Sequence, residues 1–428
     1  MHIRQESINL NLRSLRPSAT VAINEYSNEL RSQGRQVYKL GLGQSPFPVP
    51  ASVVKALQDN AFQKDYLPVK GLAPLREAVA AYHAKREGSE RLSEGVIIGP
   101  GSKELMFLLQ LAYYGELVIP APSWVSYAPQ AQIIGRNVRY VATTREDGWR
   151  LTTEGLERLC AEDPKRPRLL ILNYPNNPTG ATYSESQLKE LAEVARRYDV
   201  IVLSDEIYGE VQHDGKHISI SRFYPEGTII SGGLSKWCGA GGWRLGTFAF
   251  PKELDWLLEP IATAASETFT STSAPIQYAA IAAYQESPEI AEYLRQSRRV
   301  LGACGTWVSS KLQEAEIHCD APQGGFYVFP DLAAHREALA ARGIHTSRQV
   351  CQELLEQVGV AVLPGSEFGR PVNELTLRAA YVDFDGEAAL KAASDAPVLD
   401  ENFLRAHCPQ VLGAVEALCD WVQLESDS

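Results

Sequence analysis

SGGLSKWCGAGGWRLG, residues 231–246, decides the fold. Lys236 stands just beyond a short strand-like run, Thr228–Ser231. Glycines flank it at Gly232, Gly233, Gly239, Gly241 and Gly242, and Arg244 follows. Glycine lets the backbone adopt φ > 0 and approach a ligand closely. A lysine held in so crowded and partly desolvated a place is kept neutral and nucleophilic. Imine formation with an aldehyde needs such an amine, and Arg244 points to an aldehyde that carries a phosphate. The competing reading is a plain surface lysine in a glycine loop, and the rest of the chain decides between the two.

Around this loop, strand-like and helix-like segments alternate. Leu169–Leu172 reads as a strand, Asn173–Gly180 (NYPNNPTG) as a rigid turn, and Ser184–Arg197 as a helix opened by a Ser184/Gln187 capping box. Val200–Ser204 is a strand ending at Asp205-Glu206-Ile207-Tyr208, and Leu245–Phe250 is another. This is the pattern of a mostly parallel sheet with helices on both faces. Asn177, Asp205 and Lys236 each follow a strand's carboxyl end, where one cleft collects all three. Further upstream, strand Val96–Ile98, loop Gly99–Ser102 and helix Lys103–Tyr113 make a phosphate cradle of free N–H groups at a helix N-terminus. It is not a Walker A loop, because G-x4-G-K-[ST] is absent. Strand Leu117–Ile119 ends at Pro120–Tyr127, which sets Trp124 at a strand's carboxyl end as either a stacking surface for a flat ring or a core residue.

The flanks are read more coarsely. Pro17–Ser32 and Ser52–Asn60 are helices separated by a Gly/Pro-rich crossing, Val37–Pro50. Lys64–Gly88 is a polar loop containing Tyr66, then a helix from Pro74. Downstream of the lysine loop come an Ala-rich helix ending near Glu286 and a long helix, Ile290–Ala315. A second domain then has strands near Phe326–Phe329, Val360–Leu363 and Leu375–Tyr381, with helices at Thr346–Gln357 and Leu404–Leu424. Ala388–Asn402 reads as a loop insertion, and residues 1–15 as a short amphipathic arm without the apolar core of a signal peptide.

Composition narrows the function classes. Hydrophobic residues at 45% and charged residues at 22% are ordinary for a globular chain. A net charge of −11 argues against a nucleic-acid-binding surface, and no apolar run has the length of a membrane span. The seven cysteines are scattered without a CxxC pair, as expected of reduced thiols in a cytoplasmic protein. His213-Asp214-Gly215-Lys216-His217 reads as a polar turn, and no metal is expected.

Taken in order, NYPNNPTG, SDEIYGE, GGLSKWCGAGGWRLG and TLRAAYVDFDG resemble the class I/II aminotransferases, which are pyridoxal 5'-phosphate (PLP) enzymes of fold type I. The resemblance runs from about Val37 to Tyr381. It implies an α/β fold: a large domain with a mostly parallel sheet flanked by helices, plus a smaller α+β C-terminal domain. The expected division is 1–50 for the arm and part of the small domain, 51–311 for the large domain and 312–428 for the small one. By resemblance, Lys236 forms the imine with PLP and then moves protons, Asp205 pairs with the pyridine nitrogen, and Asn177 and Tyr208 contact the ring's 3-oxygen. Trp124 stacks on the ring. Gly101, Ser102, Lys103, Ser235 and Arg244 match the phosphate site, and Tyr66 reaches it from the partner subunit of a homodimer. Arg378 grips the substrate α-carboxylate, with Gly43, Trp124 and Asn177 beside it.

Three departures stand out. Gly233 occupies the position where many relatives carry a phosphate-binding serine. Thr268-Phe269 offers no distal arginine of the kind found in some dicarboxylate-specific relatives, which leans against an aspartate/glutamate enzyme of that type, although relatives read distal carboxylates by other routes. The tail beyond Tyr381 does not match the usual ending. The implied activity is transamination between an L-amino acid and a 2-oxo acid by a ping-pong mechanism, within amino-acid metabolism. The alternatives are another PLP reaction at the α-carbon (elimination, decarboxylation, oxidation or cyclisation) and a non-catalytic ligand sensor. The second is disfavoured by the intact Lys236, Asp205, Arg244 and Arg378 set.

Overall fold

The computed structural model describes residues 8–13, 15, 17–87, 91–285 and 287–424. Much of the expected arm, at 1–7 and 14, therefore lies outside the described residues; Leu10–Leu12 forms a single 3-10 turn capped by Asn9. Helix α1 (Ala19–Ser32), the short strand β1 (Tyr38–Lys39), α2 (Ala51–Asn60) and α3 (Ala73–Glu87) come first. An alternating series follows: β2 (Val96–Gly99), α4 (Ser102–Ala112), β3 (Glu116–Ala121), α5 (Tyr127–Ile133), β4 (Val138–Ala142), α6 (Thr153–Glu162), β5 (Arg168–Asn173), α7 (Glu185–Arg197), β6 (Ile201–Asp205), β7 (Thr228–Gly233) and β8 (Gly246–Ala249).

These strands build one seven-stranded sheet in the order β2-β8-β7-β6-β5-β3-β4. Every pairing is parallel except those of β8, which runs antiparallel to β2 and β7. Side chains alternate across the sheet, as a period of two requires. Leu117, Ile119, Leu169, Ile171 and Leu203 pack into one apolar cluster with α4 and α8 (Asp255–Thr268), while Val118, Leu170, Leu172 and Val202 pack into another with α6 and α7. Burial on both faces explains why these strands read as continuous apolar runs. The capping box at Ser184 and Gln187 forms as the sequence predicts.

Register places the site. Asn173 pairs with Asp205, and Asp205 pairs with Ser231, so β5, β6 and β7 end level with one another. The loops that leave these three carboxyl ends therefore meet above one row of the sheet.

The rest of the chain is α9 (Ala274–Tyr284), α10 (Pro288–Glu314), β9 (Tyr327–Val328), α11 (Arg336–Ala341), α12 (Ser347–Val358), β10 (Val360–Ala361), β11 (Leu363–Pro364), β12 (Leu377–Ala380), α13 (Gly386–Asp395), α14 (Glu401–His407) and α15 (Pro409–Gln423). Strand β12 lies between β9 and β11, antiparallel to both. The expected strand Val360–Leu363 is two pieces: β10 pairs in parallel with β1, and β11 turns to β12.

Two further expectations are corrected. Ala388–Asn402 is not a loop insertion: its first half belongs to α13, capped by Asp385 on the Ala388 N–H, with Ala389 and Ala393 buried. Its alanines, the strongest helix formers, outweigh the flanking Asp and Pro. Leu404–Leu424 is not one helix, because Cys408 leaves helical geometry (ψ 36°) just ahead of Pro409. Proline lacks an N–H donor and disfavours helical geometry in the residue before it.

Candidate active site

Asp205 ends β6, Asn177 stands in the turn after β5, and Lys236 in the loop after β7. All three line one cleft of about 350 Å3, together with Gly43, Ser102, Lys103, Trp124, Tyr208, Ser235, Arg244 and Arg378. Gly101 adjoins it as the N-cap of α4, at φ +93° and ψ 148°, a conformation that suits glycine. It brings no capping side chain to the free N–H groups of that helix. Arg244 holds left-handed geometry (φ 56°, ψ 55°) and donates from Nη1 to Gly241 O at 2.9 Å. A non-glycine residue in that region is a strained position kept by its surroundings. Tyr66 lies outside the cleft, 89% exposed.

Gly233 adopts φ +153°, and a Cβ there would stand 2.7 Å from Leu245 O. A serine is thus excluded by this backbone path, which accounts for the departure noted at that position.

The centre of the cleft is electrostatically tense. Asp205 is 2% exposed, accepts the Tyr127 hydroxyl at 2.5 Å, and is pushed up to about 6 by burial, against the opposing pull of its hydrogen bonds. Lys236 donates from Nζ to Gly43 O at 2.8 Å. Burial, and then the charges of Arg378 and Arg244, lower its amine to about 8. Tyr208 and Tyr327 share a hydrogen bond at 2.8 Å, and burial raises both phenols. Arg378 is 1% exposed, stacks over the Tyr327 ring at 4.9 Å, and donates from Nη2 to Gly41 O. The Lys103 ammonium sits 5.0 Å over the Trp124 ring, and burial, then Arg244, lower its pKa. Four cationic side chains against one carboxylate make this a site for anions, within a chain of net charge −11.

Two buried polar atoms here have no hydrogen-bond partner, Asn177 Oδ1 and Arg378 Nε. Such groups are costly unless a ligand engages them. The uncapped α4 N-terminus beside Ser102 and Arg244 suits a phosphate, the Trp124 face suits a flat ring, and the desolvated Lys236 amine suits an aldehyde. The residues present therefore fit pyridoxal phosphate.

Sequence reasoning missed several lining residues. Tyr127 bonds Asp205, Tyr327 supports both Tyr208 and Arg378, and Asn173 donates from Nδ2 to Asp205 O at 2.8 Å. Asn173 was visible as a polar residue at a strand end, and Tyr127 as the last residue of the stretch that follows β3. Tyr327 carried no signal, being one aromatic among several in GGFYVF. Thr20 and Val21 of α1 also reach the cleft, a long-range approach that local pattern does not encode. A wider polar groove of about 800 Å3, lined by Arg145–Glu154 and Asp320–Gln323 among others, contains none of the expected residues.

His213 and His217 point to different partners, Gly325 O at 3.1 Å and Glu206 Oε2 at 2.8 Å. Among the described residues no three His, Cys, Asp or Glu side chains gather as a metal site, and no helix is long and apolar enough to cross a membrane.

The family described as aminotransferase class I and II matches residues 35–384. The chain is 35% identical to an aspartate aminotransferase of Geobacillus stearothermophilus, over 84% of this chain and 91% of that one. It is 31% identical to an aspartate/prephenate aminotransferase of Thermus thermophilus, covering 83% and 90%. A solved structure of aspartate aminotransferase from Thermus thermophilus with maleate superposes with a TM-score of 0.81 at 30% identity, covering 91% of this chain and 98% of that one.

Proposed function

The chain belongs to the class I and II aminotransferases, which makes it a pyridoxal-phosphate-dependent transaminase, and from that premise we propose that its amino donor is a dicarboxylic amino acid, L-aspartate first. The observation that carries this reading is the spare cation of the cleft. Arg378 supplies a planar fork for the α-carboxylate. Arg244, with Ser102, Ser235 and the N–H groups behind Gly101, suits the cofactor phosphate, to which Lys103 contributes its backbone. The Lys103 side chain, desolvated over Trp124, is then left for a second carboxylate. Relatives named for aspartate support the same assignment.

The residue roles follow from the same geometry. Pyridoxal phosphate, when bound, supplies an aldehyde that takes up the amino group and a ring that accepts electron density from the α-carbon. Asp205 would face the pyridine nitrogen as a fixed negative charge, with Tyr127 and Asn173 holding it in place. Asn177 and Tyr208 would engage the 3-oxygen, and Trp124 the ring face. Lys236, with an amine near 8, is neutral often enough to take a proton from the α-carbon and return it. Arg378 and the Gly43 backbone orient the substrate so that this proton faces Nζ. Tyr66, exposed in this chain, is assigned to the phosphate of a partner subunit, and the enzyme is read as a cytoplasmic homodimer. Its domains are taken as 1–50, 51–311 and 312–428, with the β1–β10 pairing tying the N-terminal stretch to the C-terminal unit.

The test is a donor panel with a fixed 2-oxo acid acceptor, run on wild type and on Lys103→Met. L-Aspartate is expected to give the highest kcat/KM, and the substitution to raise its KM about tenfold while leaving L-alanine unchanged. Equal losses for both donors would remove Lys103 from side-chain recognition.

A further inference from the structure

Behind Asp205, on the side of β6 away from the cleft, lies a buried polar cluster. Glu206 Oε1 accepts the hydroxyls of Ser204 at 2.7 Å and Ser219 at 2.5 Å, and Oε2 lies 2.8 Å from His217 Nε2. The Ile220 N–H donates to Tyr174 Oη at 2.7 Å, and Tyr174 Oη lies 3.0 Å from Ser204 Oγ, so these protons run in one direction, toward Glu206. Donors on both oxygens favour the ionised carboxylate. Burial alone would push Glu206 up, but His217 and the hydroxyls hold it well below the usual carboxylate range. Side-chain exposures of 4% for His217 and 8% for Glu206 leave little solvent to screen the pair.

This cluster grips the site from two directions. Glu206 follows Asp205 directly, and its charge is among the causes that push Asp205 up. Tyr174 follows Asn173, whose Oδ1 accepts the Asn177 N–H at 2.8 Å while its Nδ2 donates to Asp205 O.

We propose that the buried Glu206–His217 pair sets the protonation of Asp205, which makes Glu206 and His217 positioning residues for the carboxylate that meets the cofactor. His217 Nε2 meets one oxygen of Glu206 and the hydroxyls of Ser204 and Ser219 meet the other, so the carboxylate behind Asp205 is partnered on both sides. Without the imidazole, a less compensated carboxylate stands next in the chain to Asp205 and disfavours its ionisation. The other groups around the two carboxylates do not take over this task. Tyr127, Tyr208 and Lys236 face Asp205 from the cleft. Across a cavity of about 30 Å3 from Glu206 lie Tyr82, His83, Arg86, Glu210 and Tyr284. There Arg86 and Arg298 pair with Glu210, so the arginine charge is engaged locally.

The proposal rests on the assignment of Asp205 to the pyridine nitrogen, and the experiment separates the two. The dissociation constant of pyridoxal phosphate is measured from pH 5 to 9 for the full chain, His217→Gln, Glu206→Gln and Asp205→Asn. The titrations of the cofactor and of Lys236, near 8, are common to all four curves, and the break compared is the one near 6. Wild type is expected to lose affinity as pH falls through about 6, where Asp205 gains its proton. His217→Gln should move that break up by about one pH unit, and Glu206→Gln should move it down by a comparable amount. A purely structural role would move both in the same direction or neither. Breaks that coincide with wild type, or that shift together, overturn the proposal. Both substitutions retain a hydrogen-bonding amide, and either one, folded, decides by the sign of its shift. If Asp205→Asn reproduces the wild-type curve, the Asp205 assignment itself has failed.

Discussion

Gly101 and Arg244 stand so close that a methyl group on Gly101 would lie 2.1 Å from the guanidinium Nη2. The loop before α4 and the loop after β7 are far apart in the chain, yet each leaves room for the other only because one position has no side chain. Gly101→Ala forces the flexible end of Arg244 aside and strains a backbone at φ +93°. Equilibrium dialysis should show pyridoxal phosphate bound about tenfold or more weakly, as for the loss of one charge-assisted hydrogen bond. Unchanged affinity would place the phosphate elsewhere.

The buried Lys236 amine carries a stability penalty, which the proposed role in proton transfer accounts for. Its amine titrates near 8 in the folded chain, against 10.5 for an ordinary lysine. The folded-state value is the lower one, so the penalty is fully present below pH 8, shrinks between pH 8 and 10.5, and vanishes above. The gap corresponds to about 3 kcal/mol. Lys236→Met should therefore make the cofactor-free protein more stable at pH 7, by up to that amount in urea unfolding, while abolishing transamination. A variant that turns over normally would remove Lys236 from the chemistry.

Arg378→Lys keeps the charge but removes the fork. If Arg378 holds the substrate carboxylate as proposed, the KM for the amino donor should rise about a hundredfold, with cofactor retention within a factor of two. Loss of cofactor in proportion to substrate would mean that Arg378 supports the site as a whole.

Tyr66→Phe removes one hydroxyl from an exposed loop. In a homodimer with shared sites it should speed the release of pyridoxal phosphate severalfold without lowering the melting temperature. A monomer by light scattering at working concentration contradicts that arrangement.

The sequence was most informative where chemistry and backbone path coincide. Asp205, Asn177 and Lys236 each follow a strand of the parallel sheet, and their glycine, proline and acidic neighbours mark those strand ends, so the centre of the site was legible. What escaped was set by tertiary approach. Tyr327 reaches Tyr208 across 119 positions and Arg378 from a neighbouring strand, and α1 lends Thr20 and Val21 from far upstream. The C-terminal helices were misread for a local reason. Composition around Ala388 suggested a loop because Asp and Pro surround it, whereas the Asp385 cap and the buried alanines make α13, and one proline divides what looked like a single final helix.

The most direct test is a single half-reaction. Protein loaded with pyridoxal phosphate is mixed with L-aspartate in the absence of any 2-oxo acid, and the visible absorbance of the bound cofactor is followed. The expected result is loss of that absorbance with one oxaloacetate released per site, and full recovery on adding a 2-oxo acid. Product accumulating over many turnovers without an acceptor would contradict transamination as the reaction of this cleft.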